Sequence, residues 1–299
     1  MKVFLNMLDM ETIFTRQNEP QNIDRLAAQK QLYIEAKKAF IFMVFLAVPL
    51  TVTLAFVKIG FALFGIDITA FVNVYSVSVV ISELLLVNVV INGYKTDAAK
   101  IQEQFDCNVY KLDWHRIVVG KKPKQETINK YAAKLKKSGA DLNKLYDWYP
   151  TELAAKDHLT AVLLCQKTNL NYDQAIRTYF KKLVYKISLA VFLLLVISAL
   201  FFNYSFWDFV VKLFMSCLPV FAMGIKIILD QNKAIETASI LAESIESILE
   251  NNQIQVQDIR SVQDKLFANR KESGLIPEKL YDKIRQRLED EMHRNAASF

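Results

Sequence analysis

Residues that break regular structure are scarce in this sequence. The 299 residues include only 7 glycines and 6 prolines. Few turns are therefore encoded, and long helices are expected. Cysteine is rarer still: Cys107, Cys165 and Cys217 are odd in number, far apart and without a CxxC pair, which argues against a disulfide framework or a zinc site. The three histidines, His115, His158 and His293, are scattered, with no HExxH or other ligand spacing, which argues against a metal enzyme. Phosphate cradles of the GxxxxGK[ST] and GxGxxG types are missing, as is the GxSxG nucleophile elbow. No membrane-embedded pair of aspartates suggests an intramembrane protease, and the acids of the middle region read as surface charges. An enzyme reading thus has no positive support. The first 37 residues carry several charges and no compact apolar core beside a small-residue cleavage site, so the first apolar stretch is expected to be retained rather than cleaved.

What the chain does have is apolar sequence in blocks. Hydrophobic residues make up 53%, but they are bunched, and the rest of the chain is highly charged. Ala39 to Val57 is a run of 19 residues without a charge, about 28 Å of helix at roughly 1.5 Å per residue, which matches the hydrocarbon thickness. Pro49 is placed to kink it. The other blocks are Ile68 to Ile91, Ile187 to Phe202, and Phe206 to Leu229, the last with Trp207 at its interface and Pro219 in its middle. Lysine and arginine flank the outer ends of each pair (Arg25, Lys30, Lys37 and Lys38; Lys95 and Lys100; Lys181, Lys182 and Lys186; Lys233), while the short connections offer only Lys58 and Lys212. The positive-inside rule then puts both termini and the middle region in the cytoplasm.

The expected fold is mainly α: an integral membrane protein with four transmembrane helices in two hairpins and a largely helical cytoplasmic domain. Its parts are an N-terminal cytoplasmic helix (1–38), a first hairpin (39–91), a basic cytoplasmic domain (92–186), a second hairpin (187–229) and a helical cytoplasmic tail (230–299). Within the middle domain, Phe105 to Trp114 alternates apolar and polar residues and reads as a short strand. Helices are expected over Glu126–Lys137, Glu152–Lys167 and Tyr172–Lys186. In the tail they are expected over Ala234–Leu249, Gln257–Asn269, and from Pro277 to about Met292.

From Lys95 to Lys186 there are 18 lysines and arginines against 10 acids, a net charge of +8 beside +6 for the whole chain. Topology and anionic lipid headgroups account for such a bias; so does an anionic ligand such as a nucleotide. In the second span, Ser78, Ser82 and Glu83 fall near one face. A charge in hydrocarbon costs about 2.5–3.5 kcal/mol on insertion scales, so it faces protein or water. The three residues read either as the lining of a pore or gate formed on oligomerisation, or as helix–helix glue with Glu83 paired to Lys212 or another cation. Lys212 and Lys226 read as snorkelling toward the interface.

Several segments occur in a characteristic order: RQNEPQNIDRLAAQKQLY (Arg16 to Tyr33), FDCNVYKLDW (Phe105 to Trp114), DWYP (Asp147 to Pro150), CQKTNLNYD followed by Ile176-Arg177, VQDKLFANR (Val262 to Arg270) and IPEKLYDKIR (Ile276 to Arg285). Their order and their placement around two hairpins resemble the bacterial S-4TM family, four-transmembrane pore-forming effectors associated with SMODS enzymes. One departure is Tyr172, where that family more usually has tryptophan. The resemblance covers nearly the whole chain. It implies a role in anti-phage defence of the CBASS type, in which a partner nucleotidyltransferase makes a cyclic nucleotide and the effector damages the bacterial inner membrane. The implied partners are membrane lipid, the cyclic nucleotide and further copies of the chain, not a nucleic acid polymer; no cofactor is implied. Motif residues Arg16, Arg116, Trp148, Tyr149, Arg177 and Arg270 are then the candidates for the nucleotide. Arginine makes bidentate phosphate contacts and aromatic rings stack on bases. The competing reading is that Trp148 and Tyr149 are core and that Arg16 and Arg270 form ion pairs to the terminal regions. The rival function is a non-conducting membrane receptor or scaffold that recruits a protein partner.

Overall fold

The computed structural model describes residues 12–84, 88–251, 253–281, 287, 288, 290 and 294. Helices dominate as the shortage of turn residues requires, and no strand occurs among the described residues. Helix α1, Pro20–Leu63, starts with its proline in the first turn, where the missing N–H costs nothing. It runs without interruption from its polar half into its apolar half. At Pro49 it relaxes into a π-helical segment, Leu46–Leu50. The Leu46 carbonyl there accepts from the Thr51 and Tyr75 hydroxyls, at 2.9 and 2.7 Å.

Helix α2, Thr69–Ser82, returns along α1. Helix α3, Asn88–Tyr110, packs on the polar half of α1, and helix α4, Gln125–Lys137, covers α1 from another side. Helix α5, His158–Phe201, is capped by the Asp157 carboxylate on the Thr160 amide at 3.1 Å. Helix α6, Phe206–Glu250, lies along α5. A Cβ at Gly224 of α6 would stand 2.6 Å from the Ser188 hydroxyl, so glycine permits this close approach. Helix α7, Val256–Glu272, bridges α3, α5 and α6. Residues 278–281 are again helical after Pro277; most of the expected last helix lies outside the described residues.

Among the described residues, three helices, α1, α5 and α6, are long and apolar enough to cross a membrane, and α2 is a shorter apolar helix. The expected second span continues past α2 through residues 85–87, which are outside the described ones. The largest apolar cluster lies in the water-facing half, where α1, α3, α4, α5, α6 and α7 meet. Smaller clusters occupy the apolar hairpins.

Two expectations about this half are corrected. The segment from Phe105 is not a strand. α3 continues through it to Tyr110 because Ala98, Ile101, Phe105, Val109 and the neighbouring Asp106 and Tyr110 recur at helical spacing and are all buried. Lys111, with φ +57°, ends the helix, and the Leu112 amide donates back to the Cys107 carbonyl at 2.9 Å, the hydrogen bond of a Schellman cap. Nor do Glu152–Lys167 and Tyr172–Lys186 form two helices. Thr151–Ala155 is a 3-10 turn, and α5 then runs unbroken for 44 residues, since nothing between Lys167 and Tyr172 stops it.

A cationic, aromatic cavity between the membrane helices and the tail

A cavity of about 550 Å³ opens where the polar half of α1, the Lys144–Trp148 loop, the middle of α5 and the segment from α7 to Tyr281 converge. That volume is in the range of small-molecule sites. Among the described residues, five basic side chains line it (Lys30, Lys37, Lys144, Arg177, Arg270) against three acids (Asp147, Asp173, Glu278), an excess of two positive charges. Aromatic rings form much of the rest. Tyr172 and Tyr281 stack with centroids 6.5 Å apart, and the Lys37 ammonium lies 4.8 Å above the Tyr281 ring while pairing with Glu278. The Trp148 indole N–H is buried at the wall and has no acceptor among the described residues, so a ligand acceptor placed there would satisfy it.

Arg177 is the junction of the site. Its Nε donates to Asp173 at 2.6 Å, and its Nη1 donates to Gln231 of α6 at 2.8 Å and to the Gly274 carbonyl at 2.9 Å. Burial opposes its charge; Asp173 overcomes that and raises its pKa above the ordinary value. A Cβ on Gly274 would lie 2.6 Å from the Gln231 amide nitrogen and 3.1 Å from Asp230 Cβ, so glycine lets the tail press against α6 here. Arg270, its side chain 13% exposed, donates to Asp106, which accepts from Gln263 at 2.8 Å and from the Tyr149 hydroxyl at 2.6 Å. Burial likewise opposes the Arg270 charge, and the Asp106 carboxylate outweighs it, so the guanidinium titrates above its ordinary value. Burial pushes the Tyr33 hydroxyl in the same wall up to about 12.

Of the six residues expected at a ligand site, the structure thus brings together Trp148, Arg177 and Arg270. The other three lie elsewhere. Arg16 caps the C-terminal end of α3, its Nε donating to the Val109 carbonyl at 3.0 Å. Arg116 is exposed on the short helix Arg116–Val119, outside the cavity wall. Tyr149 is 1% exposed and packs against Phe105 and Tyr110. The neighbours of Arg16 explain the motif: Gln17 exchanges hydrogen bonds with the Tyr149 backbone, and Asn18 does so with Asp147. The RQN and DWYP segments are a clasp that shapes the Lys144–Trp148 loop. Sequence reasoning missed Lys30, Tyr33, Lys37, Lys144, Tyr172 and Tyr281 in the wall; the one signal was the aromatic substitution at Tyr172.

Below this cavity, toward the apolar helices, a second one of about 330 Å³ shares Gly274 and Leu275 with it and contains Glu83, Lys95, Lys226, Asp230 and Glu272. Lys226 turns inward and pairs with Glu83 at 3.2 Å, which corrects the snorkelling expectation for that residue. Lys212 pairs with Asp208 on its own helix at 2.8 Å. Ser78 and Ser82 do not share Glu83's face. Ser78 is exposed and donates to the Val74 carbonyl, Ser82 is half-buried, and Glu83 is buried with Ser76 and Val79.

The sequence matches the SMODS-associating 4TM effector domain over residues 11–299. The chain belongs to that family. It is also 29% identical over 287 residues to a protein of Bacillus cereus (strain VD146) named "Probable CBASS effector molecule", with 92% of this chain and 94% of that one covered. No solved structure matches it.

Proposed function

We propose that this S-4TM protein is a membrane effector of CBASS anti-phage defence. Its ligand is a cyclic nucleotide made by a partner nucleotidyltransferase, and on binding it the protein assembles and permeabilises the inner membrane, with all four apolar segments spanning and both termini cytoplasmic. Family membership and the Bacillus cereus relative support the defence role. The observation that carries the ligand step is the position of Arg177. It lines a cavity with two excess positive charges and several aromatic rings, and it holds Gln231 of α6, the helix that continues into the apolar bundle. Phosphate is the ligand that arginine forks accept best, and stacked rings receive a base. Phosphates that take up Arg177 compete with its hold on Gln231 and Gly274, so binding changes what α6 is attached to.

Calorimetry of the detergent-purified protein with cyclic di-AMP, cyclic di-GMP, cyclic GMP-AMP and cyclic UMP-AMP tests the ligand step. Binding of one of them, lost in Arg177→Met, is the expected result. Folded protein that binds none of these, nor larger cyclic oligonucleotides, would overturn it. Growth and membrane-potential dye uptake with and without the co-expressed synthase test the lesion. Growth arrest without dye uptake would favour the scaffold reading.

A further inference from the structure

The interior of the apolar bundle is polar at two depths, and between them the buried Thr51 hydroxyl is spent on the Leu46 carbonyl of its own helix, which the Tyr75 hydroxyl also reaches. At the outer depth, Lys58 of α1 is 3% exposed, and its partners are uncharged: its ammonium donates to the Lys212 carbonyl and, at 2.6 Å, to the Ser216 hydroxyl. Asn73 of α2 donates to the Val211 carbonyl at 3.2 Å, and Ser76 to the Ser216 carbonyl at 2.7 Å. These carbonyls are available because α6 is irregular there, π-helical over Phe209–Phe214 and 3-10 over Met215–Cys217, just before Pro219. Irregular backbone at membrane depth is tolerated only inside protein or beside water. At the inner depth stands the charged 330 Å³ cavity with Glu83 and Lys226, room for about ten waters at roughly 30 Å³ each.

Between the two depths lies a collar of four buried apolar residues, Met43 and Ala47 from α1, Val79 from α2 and Met223 from α6. Met43 and Met223 also line the inner cavity. The register agrees on each helix. Val79 sits between Ser76 and Glu83 on α2, Met223 between Ser216 and Lys226 on α6, and Met43 and Ala47 lie inward of Lys58 on α1. The outward face of α2 offers no comparable path, because the Ser78 hydroxyl is satisfied by its own helix.

We propose that small ions cross through the helix bundle of each subunit along this column, and that the Met43–Ala47–Val79–Met223 collar is its closed gate. The proposal rests on the membrane-permeabilising reading given above and places the path inside the subunit rather than along the Ser78 and Ser82 face. An apolar constriction holds back ions by staying dry, so one polar group in the collar should wet it without any nucleotide.

The test uses full-length protein in vesicles of phosphatidylethanolamine and phosphatidylglycerol, with potassium and chloride efflux read separately. Ala47→Ser adds a hydroxyl with little change of volume, and Met223→Ser removes apolar bulk. Each is expected to raise basal efflux about 30-fold, equivalent to about 2 kcal/mol at 1.4 kcal/mol per tenfold. Met223→Leu should stay tight, and Ser78→Leu with Ser82→Leu should leave the leak of Ala47→Ser unchanged. Gel filtration and thermal melts show that each variant is folded. Folded Ala47→Ser and Met223→Ser proteins that stay as tight as wild type would overturn the gate, whether or not the wild type leaks when its synthase is co-expressed. A leak abolished by the Ser78 and Ser82 substitutions would move the path to the outer face of α2 and overturn it as well. Leaky serine variants beside a wild type that never leaks on synthase expression would leave the gate standing and refute the activation reading alone.

Discussion

Replacing Arg177 by methionine should separate a true junction from a decorative contact. The guanidinium joins three elements that nothing covalent brings together: Asp173 on α5, Gln231 on α6 and Gly274 in the tail. Gln231 is 1% exposed, so its oxygen would be left buried and unmet. Breaking a buried charged pair by removing one partner costs about 3–5 kcal/mol. The Asp173 side chain is 29% exposed and regains some water, which lowers the expected loss to about 3 kcal/mol. At about 2–4 °C per kcal/mol, the apparent melting temperature in detergent should fall by about 6–12 °C. Lysine keeps the charge but lacks the fork, so Arg177→Lys should recover the Asp173 contact and only part of the loss. Asp173→Asn combined with Arg177→Met should cost less than the two changes summed, because the residues form one unit. A folded Arg177→Met protein that melts within about 2 °C of wild type would refute the idea that this residue ties α6 to the cavity wall.

Three further outcomes follow from separate features. Reporter fusions after Lys124 and at Phe299 should report cytoplasm and one near Asp67 the outside; a periplasmic signal from the Lys124 fusion refutes the hairpin topology. Lys95, beyond the apolar segments, has its amine lowered from 10.5 to about 8, chiefly by burial, with Asp230 opposing and Arg177 and Lys226 adding to the effect. Below pH 8 the folded state therefore carries a desolvated ammonium, and stability rises from pH 8 to 10.5, where only the unfolded chain still binds the proton. Lys95→Met should stabilise by about 2 kcal/mol at pH 7, and melts showing no shrinkage of that gain by pH 10 would contradict the sign. Gly224→Val should lower the yield of folded protein, because α6 cannot retreat from Ser188 without losing its packing on α5; normal yield and melting would show that the close approach is dispensable.

Much of the fold was legible because membrane segments announce themselves by length and composition. The apolar blocks at Ala39, Ile187 and Phe206 became α1, α5 and α6. The joins to the polar helical halves followed from the lack of stop signals after Lys38 and Lys186. The error at Phe105 came from a window in which period two and period 3.6 agree for a few residues. Only the longer stripe back to Ala98, and the buried Asp106 that a polar count treats as solvent-facing, decide for helix. The ligand site was half legible. Arg177 and Arg270 stood out because they close motifs, but Arg16, which opens one, stood out as much and serves as a helix cap. Pairings such as Gln17 with Tyr149, 132 positions apart, have no periodic trace in a sequence, and neither has a cavity wall assembled from α1, α5 and the tail.

The same distinction bears on Glu83. Helical projection from sequence put it with Ser78 and Ser82, which suggested a stripe facing other subunits. Seven residues separate Ser76 from Glu83, about 10.5 Å along the axis at roughly 1.5 Å per residue, and that spacing returns nearly to the same face, with Val79 between them. The buried charge of α2 is thus aligned with the hydroxyl that holds the irregular part of α6, not with the exposed Ser78 hydroxyl. Gln231, where Arg177 grips α6, is eight positions from Met223, about 12 Å along the same rod, and the irregular segment Phe209–Cys217 lies just beyond. Between that grip and the irregular segment, α6 is regular α-helix. In the proposed activation, release of Gln231 would act first on Lys226 and Met223, the α6 side chains that face Glu83 and the collar, while the hydrogen bonds of Lys58, Asn73 and Ser76 would hold the outer end in place.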